Sequence, residues 1–155
     1  MFKQLDQRLR SPCLQRLRDG LNAFATPLFD LLIRLYIAEI FLRAGWLKIR
    51  AWDNTLDLFA YVYQVPILPP DWAAVMGTAG ELILPIFLIL GLGGRFAALG
   101  LFVMNLVAAY SFPDISDLGL QDHVLWGALL LVTFFHGAGR FSVDAYWISR
   151  QATRA

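Results

Sequence analysis

The chain of 155 residues lacks most of the residue types that build redox and metal chemistry. Its single cysteine, Cys13, excludes an intrachain disulfide, a CxxC redox pair and a zinc site built from several cysteines of this chain. Its two histidines, His123 and His136, would lie about 20 Å apart along one helix. They could not share one metal ion, and we therefore predict no metal site.

Charge is also scarce, since Asp, Glu, Lys and Arg make up 16% of the residues. The formal net charge of +1 provides no global basic field of the kind that binds nucleic acid. Hydrophobic residues make up 58% of the chain and the mean hydropathy is +0.56, which is too apolar for an ordinary soluble domain. Residues 1–22 carry charges throughout and lack the apolar run of a cleaved signal peptide. We predict an integral membrane protein that keeps its first residues.

Four apolar segments are each long enough to approach the span of a bilayer, which requires about 20 helical residues. The proline-rich stretch at 64–71 cannot be regular helix. We predict an all-α fold, an integral membrane four-helix bundle with an amphipathic basic segment at its N-terminus and a short interfacial helix in the first outer loop. The predicted parts are the basic segment 1–23, the four-span domain 24–140 with spans at 24–46, 72–92, 95–112 and 122–139, and the C-terminal tail 141–155.

The distribution of lysine and arginine predicts the orientation of the chain. Nine of these residues flank the ends of the predicted spans on one side, and three lie on the other side. An excess of positive charge marks the cytoplasmic side, so both termini are predicted to be cytoplasmic. The nine are Lys3, Arg8, Arg10, Arg16, Arg18, Arg95, Arg140, Arg150 and Arg154, and the three are Arg43, Lys48 and Arg50.

The first predicted span carries four charged residues. A charge at the centre of a bilayer costs roughly 2.5–3.5 kcal/mol, but these residues come as two pairs with i,i+4 spacing, at which helical side chains meet. Asp30 precedes Arg34 by one turn, and Glu39 precedes Arg43 by one turn. At about 100° per residue, the two pairs lie on nearly opposite faces. This helix therefore needs protein or water on two sides, and we interpret it as the hub of the bundle.

A line of small residues on the second span predicts where Glu81 points. Ala73, Gly77 and Glu81 recur every four residues, and small residues at this spacing let helices approach closely. We expect Glu81 to face the first span and to lie close to either Arg34 or Arg43, because a buried carboxylate needs a partner. The predicted intramembrane polar network comprises Asp30, Arg34, Glu39, Arg43, Glu81 and Asn105.

Both histidines are candidate proton-active groups, since the histidine side chain titrates near neutral pH. We expect His136 to bond to the backbone at a helix end. We expect His123 to titrate with Asp122 at the outer surface. Asn105 shares a helical face with two alanines, which predicts that it points into the bundle.

The connection after the first span is aromatic and rich in proline. Its aromatic residues are typical of anchors at the membrane surface. They could instead form an outer cap that shelters a flat ring such as a quinone. The residues of this predicted ligand cap are Trp52, Tyr63, Pro66 and Trp72.

Three stretches of the chain resemble the DoxX family of small four-span bacterial inner-membrane proteins. They read RLYIAEIFLRAGWLKIRAWD, GELILPIFLILGLGGRFAALGLFVMN and HGAGRFSVD, and the resemblance covers residues 31–144. The stretch YQVPILPPDWAAVMGTAGE is similar to the branch often encoded beside enzymes that mature copper-binding peptides. The resemblance implies a multi-pass protein of the bacterial inner membrane.

The resemblance implies three classes of function without selecting a reaction, because members are linked to thiosulfate oxidation with quinone as acceptor and to thiol and oxidant stress. The first is an accessory or scaffold subunit for redox, stress-response or copper-peptide maturation partners. The second is a quinone-linked oxidoreductase subunit, with quinone as the candidate cofactor. The third is a small transporter or metal-handling protein. We expect no catalysis by the chain alone. The expected partners are the lipid bilayer, membrane or soluble proteins and a homo-oligomer, with no nucleic acid.

Overall fold

The computed structural model describes residues 15–16 and 19–152 and is all-helical over those residues. A π-helical turn at Leu21–Ala25 continues directly into the first long helix. Most of the predicted basic segment 1–23 lies outside the described residues. The helices are α1 (Thr26–Arg50), α2 (Trp52–Tyr61), α3 (Pro70–Leu90), α4 (Gly94–Ser111), α5 (Asp117–His136) and α6 (Val143–Ala152).

Three of the described helices are long and apolar enough to cross a membrane, namely α3, α4 and α5. The first predicted span, 24–46, corresponds to α1, which is not among them although it has 25 residues. Its charged residues account for this difference, because they interrupt the apolar sequence along its whole length.

The four long helices contact one another in a closed order. Helix α1 packs against α3 and α5, and α4 packs against the same two helices from the other side. The short helix α2 packs on α1 and α3. The main apolar core lies between the long helices and consists of Ile33, Ile37, Phe41, Leu88, Ala97, Ala98, Leu101 and Leu130.

Helix α1 is longer than the sequence indicated. We predicted that the first span ends at residue 46, but the helix continues to Arg50. Gly45 is buried at the contact between α1 and α3, where an added Cβ would lie 2.9 Å from the Cγ of Leu82. The glycine therefore serves close packing of two helices and does not end one.

The other helix ends differ from the predicted spans for local reasons. Helix α3 begins at Pro70, two residues early, because proline fits the first turn of a helix. Helix α5 begins at Asp117, five residues early, because the Oγ of Ser116 accepts a hydrogen bond from the Gly119 amide at 3.1 Å. It ends at His136, three residues early, because Gly137 follows with a φ of +81°.

The predicted short helix in the first connection is present as α2. Its residue Phe59 is buried with Ala73 and Ala74 of α3 in a second apolar cluster. Ala73 and Gly77, the small residues expected to let α3 approach another span, therefore lie against Phe59 of the short helix α2. The following residues 64–69 are not helical, as the prolines predicted. Ser142 caps the start of α6, because its Oγ accepts a hydrogen bond from the Ala145 amide at 3.1 Å, as is typical of a serine just before a helix.

The close approach at Gly45 predicts the effect of adding one methyl group there. We expect Gly45→Ala to destabilise the protein, because overpacking costs roughly 1–3 kcal/mol. The matched control is Gly77→Ala, whose Cβ would lie 3.5 Å from Phe59, an ordinary contact. This control should be neutral or more stable, since alanine favours helix by about 1 kcal/mol over glycine. Unfolding midpoints in detergent measure both, and equal midpoints would contradict the assigned packing.

Candidate functional site

The side chain of Arg34 is fully buried and bonds to the backbone of two other parts of the chain. Its Nη2 donates to the carbonyl of Phe141 at 2.7 Å, and its Nη1 donates to the carbonyl of Leu88 at 3.4 Å. Its Nε has no hydrogen-bond partner within the part of the chain that the structure describes. Arg34 does not bond directly to Asp30 as the spacing predicted, because the guanidinium bonds to carbonyls, although the charge of Asp30 still acts on it. Arg34 thereby joins α1 to the end of α3 and to the segment before α6.

The turn after α3 permits this contact because it contains Gly91. This residue has a φ of +64°, a backbone conformation that glycine adopts at low cost. An added Cβ would lie 2.6 Å from the Nη1 of Arg34 and would collide with Ser142. The glycine therefore gives both the turn and the space for the guanidinium.

Asp144 holds the same turn from the other side, and the sequence analysis did not identify it. Its carboxylate accepts from the amides of Gly93 and Gly94 at 3.1 and 3.3 Å, at the start of α4. Amides at a helix start have no partner within the helix and favour a negative group. The GLGG turn at 91–94 carried the signal, since its amides need acceptors, but the sequence does not show which carboxylate supplies them.

His136 lies beside Asp30 at the same end of the molecule. Its Nδ1 is 3.0 Å from the Oδ1 of Asp30, with the two side chains 51% and 11% exposed. The expectation that His136 bonds to the backbone is therefore wrong, because the end of α5 lies against the first turns of α1. Together Asp30, Arg34, His136 and Asp144 form what we call the inner polar site.

The pair Glu39 and Arg43 is formed as the i,i+4 spacing predicted. The Oε1 of Glu39 lies 3.1 Å from the Nε of Arg43. The side chains are 60% and 81% exposed, so the pair faces outward, on the side of α1 opposite the buried Asp30 and Arg34. It does not join the inner polar site.

Glu81 faces α1, but its partner is neither Arg34 nor Arg43. The Nζ of Lys48 lies 2.7 Å from both of its carboxylate oxygens, and both side chains are largely buried. This pairing corrects our expectation, and it arises because α1 continues through Gly45 to bring Lys48 over α3. The pKa of the nearby Tyr63 phenol is raised, mainly by burial and secondly by the negative charge of Glu81.

Asn105 is buried, and it forms two hydrogen bonds with His123 across α4 and α5. Its Nδ2 donates to the backbone carbonyl of His123 at 2.8 Å, and its Oδ1 lies 2.8 Å from the Nδ1 of that histidine. The backbone carbonyl can only accept, so the side-chain NH2 of Asn105 must face it and Oδ1 must face the ring of His123. Since Oδ1 is also an acceptor, the Nδ1 of His123 carries the proton. His123 therefore bonds to Asn105, while the charge of Asp122, its expected partner, still acts on it. The two residues line an open groove of about 320 Å³ between α4 and α5.

The four residues of the predicted ligand cap separate into two groups. Trp52 and Tyr63 pack against the cluster around Phe59, and the ring of Tyr63 contacts that of Phe59 edge-on with centroids 5.0 Å apart. Pro66 is exposed, and the side chain of Trp72 is 63% exposed. Only Trp52 and Tyr63 therefore belong to one cluster.

The polar residues thus occupy separate places rather than the single network that we predicted. The inner polar site lies at one end, the Lys48–Glu81 pair lies at the other, and Asn105 with His123 lies between α4 and α5. Among the described residues, no group of three or more His, Cys, Asp or Glu side chains is placed to hold a metal ion.

The Lys48–Glu81 pair predicts a specific mutational pattern. We expect Glu81→Gln to lower stability by up to roughly 3–5 kcal/mol, because it leaves the Lys48 ammonium largely buried without a counter-charge. Combining it with Lys48→Met should recover most of the loss, since the double variant no longer buries an unpaired charge. The control Asp57→Asn lies on the exposed face of α2 and should be nearly neutral. Unfolding in detergent checks this, and a double variant no better than Glu81→Gln would contradict it.

Comparison with known proteins places the chain in a family. The DoxX family model matches residues 29–114, a little more than half of the chain. An uncharacterized protein of Haemophilus influenzae is 30% identical over 122 residues, which cover 74% of this chain and 80% of that protein. No solved structure matches the chain. With its apolar helices of membrane-spanning length, the chain belongs to the DoxX family of membrane proteins.

Proposed function

We propose that this DoxX-family protein is an accessory or scaffold subunit of the bacterial inner membrane that holds redox, stress-response or copper-peptide maturation partners at the bilayer. One observation carries the proposal. The buried Arg34 guanidinium donates to the carbonyls of Leu88 and Phe141, and the Asp144 carboxylate accepts from two amides at the start of α4. Charges engaged in this way join helix ends into a rigid frame, which is what a scaffold requires.

In this proposal α1 is a fourth transmembrane helix, so that the protein is a four-helix bundle in the membrane. Its 25 residues extend for about 38 Å, more than the ~30 Å of a hydrocarbon core. Its buried charges have partners, because Arg34 bonds to carbonyls and Asp30 lies beside His136. Apart from Glu39 and Arg43, its exposed residues are mostly apolar, and they include Leu28, Phe29, Leu32 and Leu35.

The proposed orientation puts the inner polar site on the cytoplasmic side, with the Lys48–Glu81 pair on the periplasmic side. The nine-to-three distribution of Lys and Arg supports it. The inner end then carries α6, whose exposed residues Tyr146, Trp147 and Ile148 suit the membrane surface or a docked protein. The basic N-terminal segment is the second proposed docking surface.

The orientation is tested by reporter fusions. A reporter fused after Ala155 should show a cytoplasmic location, and one inserted near Ser116 should show a periplasmic one, since the loop 113–122 contains no Lys or Arg. A periplasmic signal from the C-terminal fusion would overturn the orientation, and one location for both reporters would overturn the four-span arrangement.

The scaffold role is tested by reversing the charge of the basic segment. Changing Arg8, Arg10, Arg16 and Arg18 to Glu should release an acidic cytoplasmic partner in pull-downs from mild detergent, because each basic residue near the surface contributes about 1 kcal/mol. The matched control changes the same four residues to Lys, which retains the charge and should retain the partner. The fusions described above show whether the reversal has inverted the topology instead. Equal recovery of partners with both variants would contradict this docking surface.

A quinone-linked oxidoreductase subunit is the second candidate, and the groove beside His123 favours it. With the proton on Nδ1, the Nε2 of His123 is an acceptor, and a quinol hydroxyl could donate to it. The groove is lined by apolar residues of α4 and α5 and opens on the outside of the helices, where a membrane-dissolved ring could enter. Quinone turnover by the purified chain alone, lost in His123→Phe, would replace the scaffold proposal with this one.

A further inference from the structure

The outward face of α1 carries a regular line of exposed side chains that we call the outer stripe. Its members are spaced alternately four and three residues apart, the spacing at which one helix packs along another. All six are exposed and lie opposite the buried face of α1. They are Leu32, Tyr36, Glu39, Arg43, Trp46 and Arg50.

The middle of the outer stripe is charged, and lipid is a poor environment for it. Glu39 and Arg43 bond to each other at 3.1 Å, but their side chains remain 60% and 81% exposed. If α1 spans the membrane, as proposed above, these exposed polar atoms face hydrocarbon unless another molecule covers them. Charged side chains within spanning helices almost always face protein or a water-filled cavity.

The order of charges on the outer stripe makes it complementary to itself. Two copies inserted in one orientation place their α1 helices parallel, related by a twofold axis along the membrane normal. Glu39 of each copy then lies level with Glu39 of the second copy and one turn from its Arg43, so that each carboxylate can pair with a guanidinium of its own copy and one of the second copy, in a closed ring of ion pairs. We propose that two copies of this chain pair through the outer stripe, with Tyr36 and Trp46 packing above and below this ring.

The first test is cross-linking within membranes. With the native cysteine removed by Cys13→Ser, a Tyr36→Cys variant should form a disulfide-linked dimer on mild oxidation. The matched control, Val103→Cys, places a cysteine on the exposed surface of α4, which does not share an extensive contact with α1, and should remain monomeric. No dimer from Tyr36→Cys, or equal dimer from both, would overturn the proposal.

The second test identifies the partner as another copy. Added to the Tyr36→Cys background, Glu39→Arg makes the stripe doubly positive and Arg43→Glu makes it doubly negative. Each alone should lower the cross-linked fraction about tenfold or more. Co-expressed with different tags, the two should form a mixed dimer at the original level, because their charges are opposite. Single variants that cross-link normally, or a mixed dimer that does not form while both chains are present in the membrane, would overturn the proposal.

The reporter fusions separate this proposal from the one on which it rests. A further pair of reporters, at the N-terminus and within residues 62–69, brackets α1 itself, and if both report the same side of the membrane, the fault lies in the proposed topology. If the topology is as proposed and Tyr36→Cys gives no dimer, the pairing through the outer stripe is wrong and the scaffold proposal still stands.

Discussion

The burial of the Arg34 guanidinium is the constraint on which the inner end of the molecule depends. Arginine keeps its charge in proteins and presents five N–H donors, so a fully buried arginine must be surrounded by acceptors. The last carbonyls of a helix have no partner within the helix and are suitable acceptors. Arg34 reaches one of these at Leu88 and a loop carbonyl at Phe141. These bonds bring the ends of α1 and α3 and the segment before α6 to one place.

The same physical requirement explains the other polar residues of the interior. The Asp144 carboxylate accepts from amides at the start of α4, and the Asn105 amide donates to a carbonyl of α5. In each case a side chain bonds to the backbone of another part of the chain. Such bonds are worth most where water is absent, because the alternative is an unsatisfied group in an apolar medium. Polar residues therefore hold this fold together, which agrees with an architectural role for the protein.

Two of the acid–base pairs that involve α1 have similar chemistry but different structural roles, because they lie in different places. The Lys48–Glu81 pair is largely enclosed and joins two helices of one chain. The Glu39–Arg43 pair has similar groups within one helix but faces outward. An enclosed pair contributes to the register of its own helices, whereas an exposed pair within a membrane needs a neighbour. The first is a determinant of the fold, and the second is a candidate determinant of assembly.

The sequence by itself determined the helical fold, the interruption at 64–69, the cap at Ser142, the bond between Glu39 and Arg43 and the family. These are local properties or long patterns, because helical periodicity and proline chemistry act over a few residues. Only the tertiary structure decided which distant groups meet, such as Asp30 with His136, which are 106 residues apart, and Glu81 with Lys48. The physical reason is that the register between helices depends on where small residues such as Gly45 and Gly91 allow close approach, and this is settled by packing in three dimensions.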